Sequence, residues 1–515
     1  MRNLIKFLPK FMAVCFICLL ALGLVACEKG GGGGGTSKTD EFWDADGNGT
    51  PDWQEKEITL TYATWQYNDP NVETIDSMLV KEFMKKYPNI HVEMQIVGES
   101  SNWELSFLKL LEADGADLPD VFLVDRLENI LPYGILADLT TYYDNDPDTE
   151  YIFDSVKNLG LYDGKRYVIP TFIYPEVWVV NKTLLRENNI AIPPYDWTWD
   201  QMEGIAKAVG NDPTHKTIGL YGSGDYLTAS TEKVESDVDQ YYFELPKILK
   251  LAADAEAGKK WLAYSYDGSH FNFADPVFLA AMAKYEEALD AQDDNGYGWM
   301  VGGILPAKAF DWYGSTVDPR YSGHVAIWRE PAWQFKNHMN DITFDWDIYP
   351  GPSGVTGGNT DIAGVCQLCE NKAAAYQLLK YLSFGRDGMV KRYELYAEYS
   401  EELFISANNY PFPIVDYGIN KDGVNEIWDN IPYAVTKPGF AAPEFVESLR
   451  NGAIKANKEV VGWDEGENTF KTYVHQVVMD GAHYATLAED AQIDANLAQQ
   501  IKREAVADAI KNMSR

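Results

Sequence analysis

Long apolar runs are absent from this chain beyond its first 27 residues: nowhere later do eighteen uninterrupted apolar residues occur, so no transmembrane helix is expected in the body. Basic residues are scarce. Against 78 Asp and Glu there are 43 Lys and Arg, a net charge of −35, which argues against nucleic acid and anionic lipid as partners. Cysteine is nearly missing. Of five, Cys15 and Cys18 lie in the N-terminal apolar run and Cys27 ends it, leaving Cys366 and Cys369 as one C-x-x-C pair. That excludes a disulfide-built scaffold; with no second pair and no neighbouring His, a structural or incidental role is expected over a redox or metal one. The seven histidines are scattered without metal spacing, and there is no G-x-S-x-G elbow, H-E-x-x-H or Walker loop.

What is present begins with an address. Arg2, Lys6 and Lys10 precede the apolar stretch from Phe11 to Val25, too short to span a bilayer comfortably, which reads as a secretory signal over residues 1–27. It ends in Leu24-Val25-Ala26-Cys27, similar to a bacterial lipobox, so Cys27 is expected to carry a lipid and to anchor the protein to the outer face of the cytoplasmic membrane. Residues 28–43, with the run Gly30 to Gly35, read as a flexible tether.

Residues 44–55 then fit the calcium-loop pattern D-x-[DN]-x-[DN]-G-x5-E at every position. Asp44, Asp46 and Asn48 supply side-chain oxygens, Thr50 a carbonyl and Asp52 a direct or water-bridged contact. Glu55 would be bidentate, and Gly49 allows the turn. Hard oxygen donors at this spacing suit Ca²⁺. Pro51 and the preceding glycines depart from a paired EF-hand, so an isolated, structural loop is expected.

The body, about 460 residues, is long enough for two or three lobes. Alternation of β-branched and aromatic residues predicts strands over 57–65, 90–97, 120–125, 166–172, 176–181, 324–328 and 344–349. Helical spacing predicts helices over 72–87, 103–113, 199–209, 241–256, 274–291, 372–383, 444–458, 467–479 and 491–513. Strands alternating with helices imply a parallel α/β sheet.

Several segments then carry a resemblance. They are Ala63-Thr64-Trp65, Phe83-Met-Lys-Lys-Tyr87-Pro-Asn-Ile-His-Val92, Gly115-Ala-Asp-Leu-Pro119-Asp120-Val121, Asp163-Gly-Lys-Arg-Tyr167-Val-Ile-Pro170, Val180-Asn181-Lys182-Thr-Leu184, Ile192-Pro193-Pro194 with Trp197-Thr-Trp199, and Gly323-His-Val-Ala326-Ile with Pro331-Ala-Trp333. In this order they resemble the family 1 extracellular solute-binding proteins, whose best-known members bind maltose-like and other oligosaccharides. The resemblance implies an α/β, two-lobed periplasmic-binding-protein-like fold of type II. Lobe 1 would take 57–172 and 345–384, and lobe 2 would take 173–344 and 385–515. It also implies a monomeric, non-enzymatic subunit that hands a carbohydrate to the permease of an ABC importer. The aromatic-rich segment 223–313 and the long tail exceed the family pattern and leave the ligand open.

Ligand sites in such folds lie at the carboxyl ends of parallel strands and between lobes. That rule selects Trp65, Asp125, Trp328, Arg329, Glu330 and Trp333, followed by Tyr174 and Glu176 at the crossing between lobes. Aromatic faces suit the CH patches of sugars, and acids or Arg suit vicinal hydroxyls. Trp65 and Trp333 as core aromatics, and Arg329-Glu330 as a surface ion pair, stay open. An extracellular glycosidase, needing two carboxylates across one bond, and a surface receptor on the same scaffold also remain alternatives.

Overall fold

The structure, a computed structural model, describes residues 42–112, 118–210, 216–221, 261–290, 300–301, 318–335, 342–399, 411–432 and 436–513. The signal segment with Cys27, most of the glycine tether and the helix expected over 241–256 lie outside them. The chain divides into two units, Met1–Thr50 and Pro51–Arg515. No described helix is long and apolar enough to cross a membrane.

The first strand of the second unit is β1 (Ile58–Ala63), whose alternation puts Ile58, Leu60 and Tyr62 into the core. α1 (Ile75–Lys86) starts at a capping box, Thr74 with Ser77, and stops at Tyr87, the residue before Pro88. It returns the chain to β2 (Ile90–Met94), parallel to β1. α2 (Trp103–Glu112) leads to β3 (Val121–Val124), wholly buried and parallel to β1 on its other side. A small hairpin, β4 (Leu161–Tyr162) and β5 (Lys165–Arg166), then precedes β6 (Ile169–Asn181).

β6 is thirteen residues long and buried throughout, where the sequence predicted two strands, 166–172 and 176–181, separated by residues 173–175. The interruption does not occur because β6 changes partners there. It pairs with β11 (Gly357–Val365) over Ile169–Glu176, with β9 (Val325–Pro331) over Glu176–Val180 and with β10 (Trp346–Tyr349) over Trp178–Asn181. At the change of neighbours the missing N–H of Pro175 costs little. α3 (Lys182–Glu187) and α4 (Trp199–Val209) follow, then β7 (Ile218–Tyr221), α5 (Pro276–Asp290) and β8 (Met300–Val301). β7 lies parallel to both β9 and β8. The order β2-β1-β3-β11-β6-β9-β7-β8 therefore joins two groups of parallel strands through antiparallel β11, β6 and β9. The sheet is mixed rather than parallel.

α6 (Lys372–Ser383) and α7 (Arg386–Glu398) pack beside α1. The single helix expected over 444–458 is instead α8 (Pro443–Arg450) followed by β12 (Ala453–Ile454), which joins β11 in parallel. Gly452 explains the break: a Cβ there would lie 2.8 Å from the carbonyl oxygens of Leu449 and Thr356, so the chain turns tightly and closely at this point. α9 (Trp463–Asp480) and α10 (Tyr484–Met513) form a terminal helical hairpin.

Candidate functional site

The carboxyl ends of β1 and β3 lie side by side and carry Trp65 and the pair Asp125-Arg126. Trp65 is 8 % exposed, meets Trp103 edge-on at 5.5 Å and has Lys458 Nζ 5.2 Å from its ring centroid. The Lys458 ammonium thus stands over the indole. Lys458 is fixed at both ends: its carbonyl accepts from Leu127 N at 2.8 Å, and its Nζ is 2.8 Å from Asp361 Oδ1 on β11. Burial works against the charged amine, but Asp361, Asp125 and Glu459 outweigh it and hold Lys458 above its ordinary range. Asp125 is half-buried; the neighbouring Glu104 carboxyl is pushed up by burial and by Asp125. Arg126 pairs with Asp464 at the start of α9.

The crossing strands supply the next groups. Tyr174 is buried and hydrogen-bonds to Asp361; burial and that carboxylate push its phenol far above the usual range. Glu176 Oε2 lies 3.0 Å from Arg329 Nη1, and both side chains are buried. Arg329 therefore forms an internal ion pair across β6 and β9, where a surface pair was one sequence reading. Glu459, beside Lys458, accepts from the Thr360 hydroxyl, and burial raises its carboxyl to about 7.

The run Trp328-Arg329-Glu330 does not act as one cluster, because β9 is pleated and alternate side chains leave opposite faces. Arg329 shares a face with Trp178 and Glu176. Trp328 and Glu330 point the other way. Trp328 is fully buried and its Nε1 donates to Glu330 Oε2 at 3.1 Å, while Arg320 Nη1 and the Tyr321 hydroxyl also reach that carboxylate, at 3.4 and 3.1 Å from Oε2. Both belong to an interior network. Trp333 is half-buried in the turn Ala332–Gln334 after β9. The structure thus brings Trp65, Asp125, Tyr174, Glu176 and Arg329 to the strand ends and the crossing, and sets Trp328 and Glu330 apart.

Sequence reasoning missed Lys458, Asp361 and Arg126. The first lies 97 residues downstream of Asp361 and far downstream of Trp65, and Asp361 comes from a glycine-rich strand. Only Arg126 had a signal, its position beside Asp125. A cavity of about 30 Å³ shared by Tyr62, Thr64, Tyr174, Asp361 and Arg392 has room for water but not for a sugar ring.

Two other motifs belong here. In the first unit, Asp44 Oδ2 accepts from Gly49 N at 2.7 Å and Asp44 Oδ1 from Asn48 N at 3.1 Å. Asn48 Oδ1 accepts from Thr50 N at 2.8 Å, and carboxylate oxygens of Asp44 and Asp46 lie within 4.8 Å of one another. Gly47 and Gly49 have φ of 69° and 88°, so the loop turns back on its acidic side chains. In the second unit, Asp52 opens the turn Asp52–Gln54, which buries Trp53. Cys366 and Cys369, just past β11, are buried free thiols. Burial and Asp120 push Cys369 up to about 12, so it stays protonated and unreactive.

Two groups of parallel strands, joined by long strands common to both, with aromatic and charged side chains gathered at the junction, define a two-lobed binding protein of type II periplasmic-binding-protein architecture. The chain belongs to the bacterial extracellular solute-binding protein family, whose model matches residues 68–384. It is 25% identical over 273 residues to the diacetylchitobiose binding protein DasA of Streptomyces coelicolor, a match covering 50% of this chain and 57% of that protein. The chain thus aligns with little more than half of the relative. The fold is similar to that of the sugar-binding protein MalE from Xanthomonas citri, with a TM-score of 0.57 at 18% identity, covering 87% of this chain and 98% of that one. It is equally similar to the cyclic alpha-maltosyl-1,6-maltose binding protein from Arthrobacter globiformis, with a TM-score of 0.57 at 16% identity, covering 87% of this chain and 100% of that one.

Proposed function

We propose that this protein captures a carbohydrate, an oligosaccharide, between its lobes and delivers it to the permease of an ABC importer, acting as a monomer and without catalysis. The observation that carries the reading is the linked group of Trp65, Asp125, Lys458, Asp361 and Tyr174, with the buried Glu176–Arg329 pair two residues further along β6 from Tyr174. An indole face and fixed charged groups of both signs suit a ring with CH patches and vicinal hydroxyls. Lys458 stands over Trp65, so stacking on that face of the ring requires its ammonium to move aside. Family membership supports the binding role, and the sugar-binding proteins named above support the carbohydrate class. Titrating the full chain with oligosaccharides should shift its tryptophan fluorescence, and Trp65→Ala should weaken binding about tenfold. If peptides cause the shift and no glycan does, the carbohydrate assignment fails.

The same reading places the protein outside the cell, held by a lipid on Cys27, with Ca²⁺ bound by Asp44, Asp46, Asn48, Thr50, Asp52 and Glu55 stiffening the junction of tether and body. The complete ligand spacing and the inward-turned carboxylate of Asp44 support the metal. The Cys27→Ser protein is expected in the medium rather than the membrane fraction. In calorimetry that released protein should bind one Ca²⁺, and addition of Asp44→Ala and Glu55→Ala should abolish the heat. Membrane retention would remove the anchor from the reading, and equal heats would return the loop to an acidic linker.

A further inference from the structure

Asp361 lies at an irregularity of the shared strands. It faces Phe172 across the β6–β11 ladder, yet the next residue, Ile362, faces Pro170, so Thr171 is an extra residue on β6 and the ladder bulges there. The Thr171 hydroxyl spans the bulge by donating to Asp361 O at 3.1 Å. Bulges re-aim side chains and gather beside functional sites. Here the carboxylate is hydrogen-bonded to Tyr174 and accepts from Lys458 Nζ at 2.8 Å.

Lys458 reaches that carboxylate from a backbone stitched in place on both sides. Lys455 N donates to Gly358 O at 2.8 Å, Leu127 N donates to Lys458 O at 2.8 Å, and Val460 N donates to Ala456 O at 2.9 Å. Gly462 N then donates to Glu128 Oε2 at 2.9 Å, while Lys502 Nζ lies 3.0 Å from Oε1 of the same carboxylate. With its main chain held on β11 and on residues 127–128, Lys458 changes place only through its own flexible four-carbon stem. The ammonium has somewhere to go. Asp125 and Glu459 attract it as Asp361 does, so a swing of the side chain does not strand its charge.

What the lysine supplies at this point matches what a sugar ring offers. Its ammonium stands 5.2 Å from the Trp65 ring centroid, over the face on which a CH patch would stack, and it gives Asp361 an N–H where a sugar hydroxyl would give an O–H. An ionised carboxylate only accepts and an ammonium only donates, so whatever displaces Lys458 must bring a donor for Asp361. A hydroxyl does so. A uronate, sulfate or phosphate group brings acceptors alone, and sets its charge against Asp361 and Asp125, a repulsion that works as selection against such ligands.

We propose that Asp361 is the hydroxyl acceptor that sets specificity in the cleft, that the Lys458 side chain is a built-in stand-in for the ligand there, and that the site therefore takes neutral sugars and refuses anionic ones. The inference rests on the reading of Trp65 as a stacking face. On binding, the ammonium swings from Asp361 toward Asp125 and Glu459, and the sugar takes over both the indole face and the carboxylate. Lys458 thus keeps Asp361 paired and competes with the ligand for it.

Calorimetry on the full chain with maltotriose, N,N′-diacetylchitobiose, xylotriose and digalacturonate is the test. At least one neutral sugar should bind and digalacturonate should not. Lys458→Met and Lys458→Gln should each bind that neutral sugar roughly tenfold more tightly, the scale of a lost cation–π contact. Lys458→Gln keeps an N–H for Asp361 and decides the matter if Lys458→Met does not fold. Adding Asp361→Ala to either variant should erase the gain. Equal or weaker binding in the lysine variants overturns the inference; if Trp65→Ala still weakens the same sugar, the cleft reading stands without it. A bound sugar indifferent to Trp65→Ala removes that reading and the inference together. Binding of digalacturonate overturns the inference alone, and failure of every neutral sugar to bind parent or variant overturns both.

Discussion

Arg392→Met is expected to lower the unfolding free energy by about 3–5 kcal/mol, the usual result of removing one member of a buried ion pair. Arg392 on α7 is 3 % exposed and places Nη2 2.6 Å from Asp76 Oδ1 on α1. Its guanidinium also lies 4.6 Å from the Phe172 ring centroid, and Nη2 donates to Leu382 O at 3.3 Å. The variant leaves the Asp76 carboxylate buried without its cation, beside a Tyr62 phenol already pushed high by burial and by Asp76. Replacing both partners, as Asp76→Leu with Arg392→Met, should recover much of the loss, because two apolar groups leave no stranded charge. Urea denaturation reads both effects. A single-variant loss below about 1 kcal/mol would mean that water reaches the pair and that burial is not what makes it matter.

A comparable loss, about 3–5 kcal/mol, should follow Trp463→Ala. Trp463 is fully buried at the start of α9, with ring centroids 5.1 Å from Tyr266, 5.4 Å from Phe271 and 6.2 Å from Tyr264. Its Nε1 donates to Glu467 Oε2 at 3.1 Å, and Glu467 Oε1 is 3.0 Å from Lys455 Nζ and 3.2 Å from Lys471 Nζ. The truncation opens a ring-sized void among aromatics that cannot collapse into it. Trp463→Phe keeps most of the ring and should cost about half as much. Equal losses in thermal melts of the two variants would shift the weight from packing to the hydrogen bond.

The elements most legible in the sequence were those whose periodicity served a single core. Helices Trp199–Val209 and Lys372–Ser383 have the boundaries their apolar spacing predicts. β1, β2 and β3 lie inside their predicted ranges because each buries one side chain in two, or all of them. β11 was not legible. Its sequence contains three glycines, which suppress any strand signal, and one has a local reason: a Cβ on Gly358 would lie 2.7 Å from Tyr174 O on the neighbouring strand. Of the site, the residues at strand ends could be chosen by rule, but the side to which each points could not. The pleat of β9 sent Trp328 and Glu330 inward and Arg329 toward Glu176. Lys458 was beyond reach for a different reason, since its place beside Asp361 and Trp65 depends on tertiary return of the chain and leaves no trace in local spacing.

Because β6 hydrogen-bonds to β11 along its first half and to β9 and β10 along its second, neither half of the sheet is separable by cutting the chain. A fragment that kept β6 would present a raw row of unpaired amides and carbonyls where the other half had been, an invitation to aggregate. A fragment without it would lose the strand that organises its own side. Gene truncation or lobe-swapping with a related protein is therefore a poor way to alter specificity in this molecule, and grafting side chains onto intact strand ends is the conservative route.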